Sequence, residues 1–424
     1  MMPRTATRWT PWIAVLVAAL WAALELASTG KYDRLPVAEE HSIAVHLVHG
    51  EGFSSPFDAS ANAGPTSWSP PVYPGVLFLA YRAFGIHSAG ASMALAILNT
   101  LAFALIAGVL VYLARLHMPP LAGAIAVFFY CLHPTMLHYV TDYWDGMLGL
   151  AMFISALGLA AFLRQRPASA PGSAALGVLL GVLSLTNAVY ALTYPVLVWS
   201  ACKEATRRRK IQLSAIALLA FALVLTPWTL RNRAAFGAWF YMRGGAPLEL
   251  WNGNRPTAPG WADESGFEAP AFNLKERAYL LSVGETAYYR VCGERFRAEV
   301  RADPKAFAKR SLVRIVELFV GNIASIYRPR AESFRACLPV GLLSSFGIFG
   351  AWFLWRNRRD AGWLIAAALL SVAPYSLTYA SDRYALPLRT LLALFSAAPL
   401  AALWQKIRPY WRPGNAHGPR PALR

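Results

Sequence analysis

The sequence predicts an all-α polytopic membrane protein, a bundle of about ten transmembrane helices with further helices and loops lying on one face. Three observations carry this. Only 15% of the 424 residues are charged and 56% are hydrophobic, against about a quarter charged in an ordinary soluble domain. Apolar runs long enough to cross about 30 Å of hydrocarbon recur along the chain. The 40 basic residues outnumber the 22 acidic ones, and they collect in short loops between those runs, as expected of the cytoplasmic side. That placement assigns the net charge of +18 to orientation in a bilayer and argues against nucleic acid as a partner.

The elements follow in order. Trp12 to Ser28 is a first span, retained rather than cleaved because it contains Glu25 and has no clear small-x-small site. Residues 29–87 form the first outer region. Within it, Val72 to Gly85 is apolar but too short to cross, and is expected to lie at the interface as a helix. His87 to Leu116 goes in, Leu121 to Leu137 out, and Gly146 to Leu163 in again. Ala174 to Thr186 and Val189 to Ser200 form a thin hairpin around Asn187, with basic loops at both ends. Ile211 to Leu230 crosses outward.

Residues 232–335 form a large outer segment. It opens with Trp, Gly, Asn and Pro, hence loops, and turns helical from about Leu274, with Asp303 as an N-cap and Pro304 at the first position of the next helix. Leu312 to Tyr327 is expected as a surface or half-inserted helix, since counting it as a span would put Arg356 to Arg359 outside. Cys337 to Leu354, Ala361 to Tyr379 and Pro387 to Leu403 complete the bundle. Residues 1–405 make the transmembrane domain and 406–424 a basic cytoplasmic tail, with both termini inside. No internal repeat suggests an inverted-repeat transporter. The four cysteines have no metal-ligand spacing. Cys131 and Cys202 read as core residues, and Cys292 and Cys337 lie on the outer side, where a disulfide between them is compatible with the topology.

The topology puts four polar groups on one face: Glu39-Glu40-His41; Asp142 and Asp145; Arg231-Asn232 through Arg243 to Glu249 and Asn254; and Ser381-Asp382-Arg383-Tyr384. A carboxylate there can act as general base on an attacking hydroxyl. Arginines can hold a departing phosphate by bidentate hydrogen bonds. Each group has a plainer reading: solvated loop glutamates, aspartates that favour a helix N-terminus, arginines as interfacial anchors. His41, His46 and His49 have no metal spacing and read as surface histidines.

Together the motifs resemble the GT-C superfamily of membrane glycosyltransferases, near the glycosyltransferase family 39 group that includes protein O-mannosyltransferases and lipid A aminoarabinose transferases. The matching stretches are Glu39, Gly50-Glu51-Gly52-Phe53, Ser55-Pro56-Phe57 and Gly64 to Pro74, then Trp144-Asp145, Thr226-Pro227-Trp228 with Arg231-Asn232, and Leu248-Glu249-Leu250 with Gly253-Asn254. Gly284-Glu285 with Tyr288, Asp303-Pro304, and Arg383-Tyr384 with Pro387 continue the series almost to the end of the chain.

The resemblance implies a GT-C-type bundle in the bacterial cytoplasmic membrane that moves a sugar, with inversion, from a polyprenyl-phosphate donor to a lipid, glycan or protein acceptor on the outer face. Glu39 takes the place of the catalytic acidic residue, with Glu40 as its rival, because many members carry Asp or Asp-Glu where this chain has Glu39-Glu40. Asp145 would be the second acidic residue, and Arg231, Arg383 and Tyr384 would hold the donor phosphate. Tyr73, Trp68, Glu249 and Asn254 would contact substrate. Metal use varies in the superfamily, so a divalent metal ion is compatible with the resemblance and no other cofactor is implied. Two other readings remain open at this level: a lipid-linked sugar transporter or flippase, and a polysaccharide polymerase or ligase using a lipid-linked oligosaccharide.

Overall fold

The computed structural model describes residues 6–30, 39–58, 60, 63–260, 268–321 and 331–407, with side chains omitted at 6–10, 331–337 and 359. The basic tail beyond residue 407, the start of the first outer loop, residues 322–327 and the Cys337 side chain therefore lie outside the description. All regular elements among the described residues are helical.

Among the described residues, six helices are long and apolar enough to cross a membrane. They are α1 (Ala6–Thr29), α4 (Ala89–His117), α7 (Asp145–Leu163), α10 (Arg207–Phe236), α15 (Ala331–Asn357) and α17 (Leu386–Ile407). The other four runs expected to cross are shorter or broken. Leu121 to Leu137 divides into α5 (Ala122–Leu132) and α6 (Pro134–His138), because Pro134 has no N–H to continue the ladder. The Asn187 hairpin is α8 (Ala170–Ser184), a 3-10 turn over Ala188–Thr193 and α9 (Tyr194–Ala201); the Asn187 side chain caps the turn at Val189. Ala361 to Tyr379 is α16 (Gly362–Leu370) followed by a 3-10 turn at Ala373–Ser376 that contains Pro374. Non-helical backbone at membrane depth is tolerated where protein surrounds it, and each break lies at the same end of the bundle as the polar residues described below.

Helix α17 is the hub. Every residue from Leu386 to Ala398 is buried, and the helix packs against α5, α15, α7 and α16. Small residues set the closest crossings. A Cβ at Gly350 of α15 would lie 2.0 Å from the Phe395 carbonyl oxygen of α17. The Gly177 and Gly181 pair of α8 meets α10 in the same way, a Cβ at Gly177 falling 2.2 Å from the Ala217 carbonyl oxygen. In lipid such close approach replaces the missing hydrophobic drive between helices.

Around the end of the bundle that holds these breaks lie α2 (Glu39–Val48), α3 (Val72–Phe84), α11 (Ala246–Asn254), α12 (Leu274–Val283), α13 (Glu285–Ala302) and α14 (Pro304–Val320). As expected, α3 is a short one-sided helix: Tyr73, Leu77, Ala80 and Tyr81 are buried, while Leu79 and Phe84 are exposed. Asp303 caps α14, its Oδ1 accepting from the Ala306 N–H at 2.9 Å, with Pro304 next. The histidines of α2 correct an expectation. His41 and His46 are buried, because α2 is packed on α3 and covered by the loop that follows it. His41 Nδ1 lies 2.7 Å from the Tyr81 hydroxyl, and His46 is bonded to Glu51 and to the Asp58 carbonyl; His49 alone is exposed. Cys131, Cys202 and Cys292 are free, buried thiols.

At the opposite end the basic loops meet one another. Asp360 accepts from Lys203 Nζ at 2.5 Å, and its carbonyl accepts from Arg164 NH2 at 3.1 Å.

The glycine crossings are directly testable. Gly350→Val or Gly177→Val overpacks a backbone contact with no room to yield, a change that costs about 1–3 kcal/mol or more in a well-packed core. Each variant is expected to lower the Tm of the purified protein in detergent by several degrees. Gly341→Val, where a Cβ meets nothing within 4 Å, should leave it unchanged.

Candidate active site

The site is assembled from five chain segments. Its first wall is the start of α7. Trp144 is the N-cap residue without a side-chain cap bond, and Asp145 opens the helix. Asp145 does not cap: its Oδ2 accepts from Asn187 Nδ2 at 3.4 Å, and the Tyr375 hydroxyl reaches Asn187 Oδ1 at 3.5 Å. The segment before α7 is pinned to α4 by Asn99, whose amide donates to the Val140 and Asp142 carbonyls at 3.1 and 2.9 Å.

The second wall comes from the stretch before α17. Arg383 donates to the Tyr384 hydroxyl at 2.9 Å and stacks over the Trp144 ring at 4.1 Å. Tyr384 in turn stacks on Tyr375 with ring centroids 4.2 Å apart. The preceding residue, Asp382, turns the other way, onto the buried Arg389 guanidinium at 2.7 Å. Tyr139, Asp142, Trp144, Asp145, Asn187, Tyr190, Tyr375, Arg383, Tyr384 and Pro387 line a small cavity that is partly open to solvent.

Glu39 and Glu40, on the first turn of α2, lie outside the cavity lining but close enough to feel the charges of Arg383 and Asp145 respectively. Glu40 is buried and accepts from Ser69 Oγ at 2.9 Å. Burial first, and then Asp145, push its carboxyl up, while Ser69 and Arg243 oppose the shift. Glu39 is less enclosed. Burial and the neighbouring Glu40 raise its carboxyl to about 7, against its backbone hydrogen bond and the Arg383 and Arg243 charges. Tyr73, at the start of α3, is buried beside Glu40, Asp145 and Asp142.

The fifth segment carries Arg243. It donates to Glu249 Oε1 at 3.0 Å, and Tyr384, Tyr289 and Glu40 also face it. The loop that holds it is tied to the end of α10, where Trp228 Nε1 donates to the Met242 carbonyl at 2.7 Å and Asn232 Nδ2 to the Phe240 carbonyl at 2.9 Å. Arg243 Nε and Arg383 Nε are both buried without a hydrogen-bond partner in the protein. Two buried, partnerless donors on two guanidinium groups beside one cavity are what a phosphate oxygen would satisfy.

The structure thus brings Glu39, Glu40, Asp145, Arg383, Tyr384, Tyr73 and Glu249 together. It takes three sequence candidates elsewhere. Arg231 spends its NH1 on the Thr66 carbonyl at 2.7 Å and its NH2 on the Phe53 carbonyl at 2.6 Å, holding the first outer loop shut. Glu285, at the start of α13, reinforces the same loop by accepting from the Ser67 N–H and hydroxyl at 2.8 and 2.7 Å and from Thr66. Trp68 packs with Leu248, Trp251 and Tyr288 in a separate apolar core. Asn254 donates to the Leu250 and Leu377 carbonyls, both at 2.8 Å, and accepts from Arg314. Asn187, Tyr375 and Trp144 also line the cavity, and Arg243 lies near Tyr384 and Glu40. A lone Asn between two apolar runs is the one signal that could have marked Asn187 as functional.

Among the described residues no three His, Cys, Asp or Glu side chains gather as ligands for a metal ion. The carboxylates face guanidinium groups and the Ser69 and Asn187 donors instead. The donor set does not fit a divalent-ion site.

No family model and no curated protein matches the sequence. Solved structures do match the fold. The oligosaccharyltransferase AglB from Archaeoglobus fulgidus, in complex with an inhibitory peptide and a dolichol-phosphate, aligns over 98% of this chain and 53% of its own, at 13% identity and a TM-score of 0.56. The Archaeoglobus fulgidus oligosaccharyltransferase in complex with Zn and sulfate aligns over 93% and 49%, at 15% identity and a TM-score of 0.55. ArnT from Cupriavidus metallidurans, bound to undecaprenyl phosphate, covers 95% and 80% at 15% identity, with a TM-score of 0.42. This chain therefore has the GT-C-type helical fold expected from its motifs, and it spans about half the length of the oligosaccharyltransferases it matches.

Arg231→Met separates a loop clamp from a phosphate ligand. Losing two charge-assisted hydrogen bonds costs about 1.5–3 kcal/mol each where the acceptors stay buried. The variant is expected to show a clear loss of Tm in detergent. An unchanged Tm together with lost binding of a polyprenyl phosphate would return Arg231 to the site.

Proposed function

We propose that this chain is an inverting membrane glycosyltransferase that takes a sugar from a polyprenyl-phosphate donor and places it on a hydroxyl group of a lipid, glycan or protein acceptor. The basic loops would face the cytoplasm by the positive-inside rule, which puts the cavity at the outer face of the cytoplasmic membrane and both termini inside. Residues 1–405 would act as one catalytic domain. The observation that carries this reading is the convergence of Glu39, Glu40 and Asp145 with Arg243 and Arg383 beside one cavity at the ends of lipid-facing helices.

In this reading the donor's lipid tail lies in the bilayer and its phosphate on Arg243 and Arg383. The acceptor oxygen attacks the anomeric carbon from the face opposite the phosphate. The bond from that carbon to the phosphate oxygen breaks, the acceptor proton passes to Glu39, and the lipid phosphate leaves with its charge on the two guanidinium groups. Glu39 suits the base role better than Glu40, because a carboxyl raised to about 7 matches the operating pH at which general bases are most effective. Glu40 is already committed to Ser69. Asp145, oriented by Asn187, would hold the acceptor hydroxyl.

The test is transfer by purified protein from a panel of monosaccharide and oligosaccharide polyprenyl-phosphate donors. A positioned general base contributes about 10²- to 10⁴-fold, so Glu39→Gln should lose activity by that factor while retaining donor binding. Full activity in Glu39→Gln would remove Glu39 from the mechanism. Movement of donor across sealed vesicles without any bond formation would favour a flippase.

The pH profile checks the same assignment. The base works deprotonated, so kcat/KM should rise with pH through about 7 and level off above it. That rising limb should disappear from the residual activity of Glu39→Gln.

A further inference from the structure

Helix α14 is inside out for a helix in water. Three of its charged residues point into the protein: Arg310, Arg314 and Glu317 are buried. Arg314 donates to Asn254 Oδ1 at 3.1 Å, to the Ser376 carbonyl at 3.2 Å and to the Gly253 carbonyl, and Arg310 donates to Glu299 at 3.3 Å. Leu318 is buried with them, but the other face presents apolar residues outward, with Leu312 63%, Val316 50% and Ile315 41% exposed. A polar face folded inward and an apolar face outward is the pattern of a surface meeting lipid.

A second observation sets its depth. At its end α14 touches α15: the Phe319 carbonyl accepts from Ser344 Oγ, and a Cβ at Gly321 would lie 3.5 Å from Val340. Both contacts fall inside the apolar span Leu338–Asn357. In the sequence Ser344 is seven residues into the apolar run that begins at Cys337, about 10 Å at 1.5 Å per residue. The C-terminal half of α14 therefore lies at the level of the hydrocarbon boundary. Its start does not. Lys305 and Lys309, on the same stripe as Leu312 and Val316 by their four- and three-residue spacing, are exposed. Neither forms an ion pair among the described residues.

We propose that the outward stripe of α14 is a binding site for an anionic phospholipid of the outer leaflet, its phosphate on Lys305 and Lys309 and its acyl chain along Leu312, Ile315 and Val316. The basic pair lies about 5–10 Å above the first apolar residue of the stripe, the offset between a headgroup phosphate and the top of its chain. A zwitterionic lipid satisfies the apolar part but carries its own cation against the two lysines. This site is separate from the Arg243 and Arg383 pair and does not depend on the transferase reading.

Two measurements on the full-length protein test it. In nanodiscs containing phosphatidylglycerol, and in a Cys337→Ser background, nitroxide labels are placed at Val316→Cys and Lys305→Cys. The label at 316 should be accessible to oxygen and shielded from a water-soluble nickel complex, and the label at 305 the reverse. Native mass spectrometry of protein exposed to equimolar phosphatidylglycerol and phosphatidylcholine should show preferential retention of the anionic lipid, on the order of tenfold for two lysines near the surface. Lys305→Gln with Lys309→Gln should abolish that preference with no change in Tm. Nickel access at residue 316 would overturn the placement, and equal retention of the two lipids by the wild type, or an intact preference in the double variant, would overturn the headgroup site.

Discussion

The arrangement depends on keeping three carboxyl groups close together away from water. Glu40 raises the cost of ionising Glu39, and Asp145 that of Glu40, since like charges in a low dielectric disfavour joint ionisation, and burial adds to both. What offsets this is local and identifiable. Arg243 and Arg383 bring two permanent positive charges to the cluster, Ser69 donates to Glu40 and Asn187 donates to Asp145. No one segment could provide all of these. The cluster therefore dictates that the first outer loop, the start of α7, the Asn187 break, the Arg243 loop and the stretch before α17 all converge at one end of the bundle.

The scaffold meets that demand by dividing labour. The long helices α4, α7, α10, α15 and α17 are uninterrupted or nearly so, and small residues bring two of the crossings to backbone contact. Two of the backbone breaks, at Asn187 and Pro374, sit where side chains reach the cavity, through Asn187 and Tyr375. The outer layer then locks the loops in place. Glu285 and Arg231 close on Thr66 and Ser67 from opposite sides, and a Cβ at Gly253 would fall 1.6 Å from the Thr378 carbonyl oxygen, which brings α11 against the segment leading to Arg383.

Much of this was legible in the sequence, and the failures have physical causes. Apolar runs between basic loops disclosed the bundle, Asp303-Pro304 disclosed the start of α14, and Glu39, Asp145 and Arg383, which the sequence put on one face, lie near one another in the fold. The sequence pointed to Arg231 and not to Arg243 as a phosphate ligand. Both lie on the same face, and the difference is that two backbone carbonyls 165 and 178 residues away consume the guanidinium of Arg231. The histidines of α2 read as surface groups because their burial comes from α3 and the following loop, contacts that spacing does not encode. Leu121 to Leu137 and Ala361 to Tyr379 were expected whole and are broken, since an apolar window registers composition and not where a proline interrupts the ladder. Trp68 matched a motif for a packing reason, as a member of the outer apolar core.

The central claim is that two arginines, Arg243 and Arg383, hold a lipid phosphate next to the Glu39 carboxylate. It is tested most directly by an experimental map of the protein with a polyprenyl phosphate bound. The account predicts phosphate density within hydrogen-bonding distance of both guanidinium groups, in the cavity lined by Asp145 and Tyr384. Density on Arg231, or at a place out of reach of Glu39, would contradict it.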